Sequence, residues 1–211
     1  MKDSRKPLRA CLFRFLLLCL EKCRPQIFDC LVIRILMNTT AAAFRTDPVP
    51  VPIRPGGAAK ALDTYASFTK HCMENLHLTQ PADRERLFER LFHYSLVLGR
   101  KVRALTGFTD SRDLQRLVFL LYRCIGIRMS GRLPGTVTVT ECFFSRFYTP
   151  ARCALMSGMD SGIIAGICGS GKLHFCQRIT QGCAVCRAYT QGGTHSESVH
   201  RGTSPTSQTT R

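Results

Sequence analysis

The sequence predicts an α+β fold, a helical N-terminal half packed on a small antiparallel sheet built in the order strand, helix, strand, strand. Three observations carry this expectation. Apolar residues recur at helical spacing from Ala58 to Ile125. The period then drops to two in Thr136-Val137-Thr138-Val139-Thr140, the alternation of a half-buried strand. Finally, Gly169-Ser170-Gly171 separates two further apolar runs, 162–168 and 172–180, and reads as a tight hairpin loop between strands. The chain has 211 residues, 45% of them hydrophobic, enough for one ordinary domain with tails.

Taken in order, residues 1–57 read as a basic N-terminal arm and linker. Residues 1–10 are basic and 11–20 apolar apart from Arg14, superficially the n- and h-regions of a secretory signal. Arg14 interrupts the run, and Glu21-Lys22-Cys23 stands where a small-residue cleavage site belongs, so a cytoplasmic protein is expected over a secreted one. Met37 is an alternative start to Met1. The piece from Cys30 to Met37 contains Arg34 and reads as an amphipathic helix or strand. No apolar stretch reaches the ~20 uninterrupted residues that a transmembrane helix needs. Asp47 to Gly57 holds four prolines, three of them at alternate positions, so no helix passes through it and it forms an extended strap.

Residues 58–189 are expected to form the domain, helical over 58–132 and strand, helix and hairpin over 133–189. The first helix starts at Ala58. Thr79 is placed to cap the second, with Pro81 in its first turn and the end near Gly107, and the third starts at Asp110 or Ser111. Thr149-Pro150 opens a short helix through about Met159. Residues 190–211 are Gly, Ser and Thr rich, with Val199 as the single aliphatic side chain. They cannot bury enough apolar area to offset an ordering cost of ~1–2 kcal/mol per residue, and a disordered tail is expected.

Function is approached by exclusion. Thirty Lys and Arg against 14 Asp and Glu give a net charge of +16. Yet Asp83-Arg84-Glu85-Arg86 and Glu89-Arg90 interleave the signs, as on a solvated helix face, which argues against nucleic acid. Arg100, Lys101 and Arg103 form the one cluster placed to touch a phosphate. Residues 166–173 fit a phosphate-binding loop until Leu173 stands where a magnesium-binding hydroxyl is required, which excludes an NTPase. His71, His77 and His93 lack metalloprotease spacing.

The chain holds twelve cysteines. Cys183-Ala-Val-Cys186 is a single CxxC, so a zinc or iron–sulfur site would need Cys168 and Cys176 from the paired strands to complete it. Burial as ordinary thiols competes with that reading. Cys153, three residues into a helix behind Thr149, has the position of an activated thiolate.

The order Cys142, Cys153, Asp160, a Gly-rich hairpin, Ile179-Thr180-Gln181-Gly182 and Cys186 resembles the C-terminal part of the L-2-amino-thiazoline-4-carboxylic acid hydrolase-like family, over about residues 110–189. The resemblance implies hydrolytic opening of a small cyclic amidine that bears a carboxylate. In that chemistry Cys153 is the nucleophile and Asp160 the base or orienting group. Arg178 pairs with the substrate carboxylate, with Cys142 beside it in the substrate site. The alternative is a non-enzymatic module, stabilised by metal or binding a small ligand. Apart from that zinc or iron–sulfur centre, no cofactor is expected. The partner in either case is a small molecule.

Overall fold

The computed structural model describes residues 5–54, 56–75 and 80–190, with side chains from Arg9 onward. Six helices and four strands occur among them: α1 (Arg5–Lys22), α2 (Gln26–Phe44), α3 (Ala58–Asn75), α4 (Pro81–Thr106), α5 (Ser111–Cys124), β1 (Ile127–Gly131), β2 (Thr136–Cys142), α6 (Pro150–Cys168), β3 (Leu173–Gln177) and β4 (Cys186–Thr190). The fold is α+β, as the periodicities predict. The sheet is antiparallel throughout, in the order β1-β2-β4-β3. Val137 stands opposite Ala188 and Val139 opposite Cys186, and these four face the helices.

Local signals explain the helix ends. Asp110 caps α5 by accepting from the Arg112 backbone N–H at 2.7 Å. Thr149 caps α6 by accepting from Arg152 N–H, with Pro150 at the first helical position. Gln80 is the cap residue of α4, with Pro81 following as expected, and Thr79 lies outside the described residues. Gly107 ends α4 and Gly169 ends α6, both in the left-handed region.

Three expectations are corrected. First, residues 162–168 are not a strand: they complete α6, which runs nine residues past Met159. The sheet has two strands before α6 and two after it, because β1 lies inside the span 58–132 expected to be helical and β4 follows β3. The glycines explain the misreading. Gly158, Gly162 and Gly166 recur every four residues and form one face of a helix, although the same run reads locally as an apolar strand. A Cβ at Gly158, Gly162 or Gly166 would stand 2.8, 2.3 or 2.5 Å from the carbonyl oxygens of Phe88, Phe92 or Leu96 in α4. From the other side, a Cβ at Gly99 would stand 2.6 Å from Ile163 O. Only glycine allows two helix backbones to lie this close. The pairing also shows α4 and α6 running parallel, with their C-termini at the same end.

Second, the glycine loop after residue 168 is not a hairpin between strands: it joins the end of α6 to β3.

Third, the described residues of 1–57 are no arm. In α2, Cys30, Ile33, Met37 and Thr40 are fully buried, and Val32, Leu36, Ala41 and Phe44 nearly so. The helix packs against α3, α4 and α5. By length and composition α2 could cross a bilayer, which the sequence reading did not anticipate, yet more than half of it is buried inside this fold. The proline strap follows it with Val51 tucked into the core. Helix α1 lies at the edge, held by buried Leu17, by Arg14 on Asp113 at 2.5 Å and by Arg116 Nε on Glu21 at 3.0 Å. The tail expected from residue 190 begins with Thr190, the buried last residue of β4; 191–211 and His77 lie outside the described residues.

Candidate functional site

The site grows from the side of α6 opposite its glycines. With Thr149 fixing the helix start, Cys153, Met156 and Asp160 fall at helical spacing on one face and point into a cavity of about 130 Å³. Its walls come from every layer of the fold. Val32, Ile35 and Leu36 come from α2, Leu98 and Val102 from α4, and Leu121 and Ile125 from α5 and the turn after it. Ile127 comes from β1 and Cys142 from the end of β2. Tyr65 of α3 and Tyr148, which precedes α6, also line it. The lining is almost entirely apolar, and this size compares with the ~150 Å³ apolar cavities that stay dry and admit benzene.

The polar groups are few and mostly committed. Tyr122 Oη donates to Asp160 Oδ1 at 2.9 Å. Tyr65 and Tyr148 hydroxyls pair with Thr40 Oγ1 at 2.9 Å and Thr69 Oγ1 at 2.5 Å. The Asp160 carboxyl itself is on the cavity wall. Burial pushes its pKa up to about 6, against the smaller opposing pulls of the Tyr122 hydrogen bond and of Arg178. Burial likewise pushes the Cys142 thiol up to about 12 and raises Cys186.

Arg178, just after β3, reaches back to α6. Its Nη1 donates to Cys153 Sγ at 3.7 Å and its Nη2 to Ser157 Oγ at 3.2 Å, while its guanidinium lies 4.3 Å over the Phe175 ring. Cys186 Sγ accepts from the Ile179 backbone N–H at 3.2 Å and so holds the turn that carries Arg178.

Four expected residues therefore come together: Cys153, Asp160 and Cys142 on the cavity wall and Arg178 behind Cys153. The metal set does not. Cys168 ends α6 and is not on a strand beside Cys176. Cys176 is exposed and donates to Arg187 O, Cys183 lies in the turn before β4, and Cys186 is buried. Among the described residues no group of three or more His, Cys, Asp or Glu could hold a metal ion. His174 of β3 stacks on Tyr189 of β4 at 5.6 Å.

Sequence reasoning missed Tyr122, Ser157 and the walls from α2. Tyr122 was legible only as one more half-apolar position of α5. Ser157 lies one turn after Cys153 inside the helix expected from Pro150, but nothing local distinguishes it from that helix's other small residues. Comparisons of the chain with protein-family models, with curated proteins and with solved structures give no match.

Proposed function

We propose that this chain is a binding module for a small, largely apolar molecule with one hydrogen-bond-donating end. The observation that carries the reading is the cavity itself: a nearly all-apolar chamber of about 130 Å³ with the Asp160–Tyr122 pair as its one concentrated polar feature. Apolar walls favour an aliphatic or aromatic body through burial at ~25 cal/mol per Å². An oxygen of Asp160 accepts from an amine, amidine or hydroxyl. Above the titration of Asp160 the carboxylate also prefers a cation.

The experiment is thermal unfolding of the full-length chain with benzylamine, benzene and benzoate. Benzylamine raises the melting temperature most, benzene less, and benzoate least because its carboxylate meets Asp160. A ligand at 100 times its Kd adds about 2.7 kcal/mol. Asp160→Asn removes the advantage of benzylamine over benzene. No stabilisation by any of the three would overturn the reading.

One observation favours a second, hydrolytic reading: Arg178 Nη1 lies 3.7 Å from Cys153 Sγ, a cation beside a cavity-lining thiol three residues into α6. It predicts that a 2-amino-thiazoline carboxylate incubated with the chain loses its ring signal in NMR, and that Cys153→Ser stops this. A ring signal unchanged over hours with the unsubstituted chain leaves binding alone.

A further inference from the structure

At the C-terminal end of α6 lies a second, larger and more polar cleft of about 610 Å³, where the C-termini of α4 and α6 come side by side. Three arginines line it: Arg9 from α1, and Arg100 and Arg103 from adjacent turns of α4. Thr109 and Ser170 add hydroxyls, and no carboxylate is among the lining residues. Gly169 allows the close approach of Arg103, since a Cβ there would stand 2.7 Å from Arg103 Nη1. Among the described residues none of the three arginines forms an ion pair, although Arg14, Arg24, Arg116, Arg128, Arg146 and Arg152 all do.

Arginine at a helix C-terminus has an ordinary explanation, the complement of the helix dipole. Magnitudes decide against that as the whole account. Two helix ends supply about half a negative charge each. Three guanidiniums supply three positive charges, leaving a surplus of about two in a cleft with no acid among its described lining residues. Arg9 also comes from a different helix, so its presence is not a consequence of where α4 ends.

We infer that this cleft binds a phosphate-bearing dianion, gripped by Arg9, Arg100 and Arg103. The planar fork of arginine matches phosphate oxygens two at a time. The ligand chemistry comes from two sources, a soluble phosphate compound or a phospholipid headgroup. Next to Arg9 on α1, Leu12, Phe15, Leu16 and Leu18 are 57, 64, 41 and 44% exposed. A helix apolar on both sides is expected to be covered on both. Here an apolar face begins one turn from a phosphate-gripping arginine, as a headgroup with its acyl chains would require.

The test uses the full-length chain with two probes: inorganic pyrophosphate by titration calorimetry, and sedimentation with phosphatidylcholine vesicles containing or lacking phosphatidic acid. Arg100→Gln with Arg103→Gln is expected to weaken binding at least tenfold. Arg132→Gln with Arg187→Gln removes the same charge elsewhere and leaves binding unchanged. Circular dichroism and melting temperature confirm that each variant is folded. Pyrophosphate binding that depends on the arginine pair, without vesicle binding, assigns a soluble ligand. Vesicle binding that depends on the pair, and is lost in Phe15→Ser with Leu16→Ser while pyrophosphate binding survives, assigns the headgroup. Equal loss in both arginine pairs shows only the general attraction of a +16 chain and overturns the site, as does absence of binding to either probe.

Discussion

The two faces of α6 solve opposite packing problems. On one, Gly158, Gly162 and Gly166 bring the backbone so close to α4 that no Cβ fits between them. On the other, Cys153, Met156, Asp160 and Ile163 stand back from α2 and α5 and leave about 130 Å³ unfilled. Interiors normally close to crystal-like density, and a void forfeits dispersion contacts on all its walls. A helix that is seamless on one side and hollow on the other is rigidly located by the first and free to host a guest with the second. The same contrast recurs in charge: the seamless face has none, while the hollow face keeps one buried carboxyl.

The largest expected effect comes from removing the wall that closes the hollow side. A chain beginning at Ala58 lacks α2. Its buried Val32, Ile33, Leu36, Met37 and Phe44 contribute about 1.5–3 kcal/mol each, together comparable to the ~5–15 kcal/mol that holds a domain folded. Such a chain is expected to show no cooperative thermal transition. The sequence reading implies the reverse, near-full stability, because the arm was assigned no place in the core. A sharp transition within a few degrees of the full-length value would show α2 to be dispensable.

Next comes the seam. Gly162→Ala puts a methyl 2.3 Å from Phe92 O, a backbone atom that cannot rotate away, and 2.8 Å from Ser95 Cβ. The helix propensity gained is only about 1 kcal/mol. Pushing α6 off α4 costs more, and a net loss of at least about 3 kcal/mol is expected by urea denaturation. A neutral or stabilising outcome would mean that the two helices are not in backbone contact.

The buried carboxyl comes third, and its sign can be worked out. Asp160 has a folded pKa raised from 3.8 to about 6, so the folded state binds more protons than the unfolded one between those values. Stability therefore falls as pH rises from about 4 to 6, and above 6 the ionised group opposes folding by about 2–3 kcal/mol. Asp160→Asn keeps an acceptor for Tyr122 and removes the charge. It should be more stable than the unsubstituted chain at pH 7.5 and equal to it near pH 4. A difference independent of pH would place the effect elsewhere than in titration.

How much of this was legible in the sequence depends on the range over which each signal acts. The helices from Ala58 to Ile125 and strand β2 were legible because period and caps are local: Pro81, Asp110 and Thr149-Pro150 act within a turn. The fate of residues 162–168 was not, because a run of Gly and Ile is ambiguous until its partner is known, and Phe92, Ser95 and Leu96 lie some 70 residues away. Cys142, Cys153 and Asp160 were picked out by a spacing resemblance and Arg178 by the chemistry it implies, and the first three share one cavity with the fourth behind Cys153. The cavity itself was illegible, since nearly a third of its lining is ordinary apolar residues of α2, α4 and α5 with no pattern to mark them. The cysteines misled because Cys168 was placed on a strand, which brought it near Cys176 on paper only.

The smallest effect sharpens the contrast between faces most directly. Val102 of α4 is half-buried and lines the cavity, so Val102→Ile adds one methylene where there is room for it. A buried methylene is worth about 0.8 kcal/mol, and little strain offsets it because the neighbouring volume is empty. The variant should gain about 0.5–1 kcal/mol, read as a rise of ~2–4 °C in melting temperature. Gly166→Ala, across the seam in α6, also adds a single carbon, but its Cβ would meet Leu96 O at 2.5 Å; it should lose several times as much. The same filled cavity should bind benzylamine more weakly, because methylene and ligand compete for one space. A Val102→Ile chain that is stabilised yet binds benzylamine as before would place the ligand outside this cavity, and one that is destabilised would mean the cavity is already closed in solution.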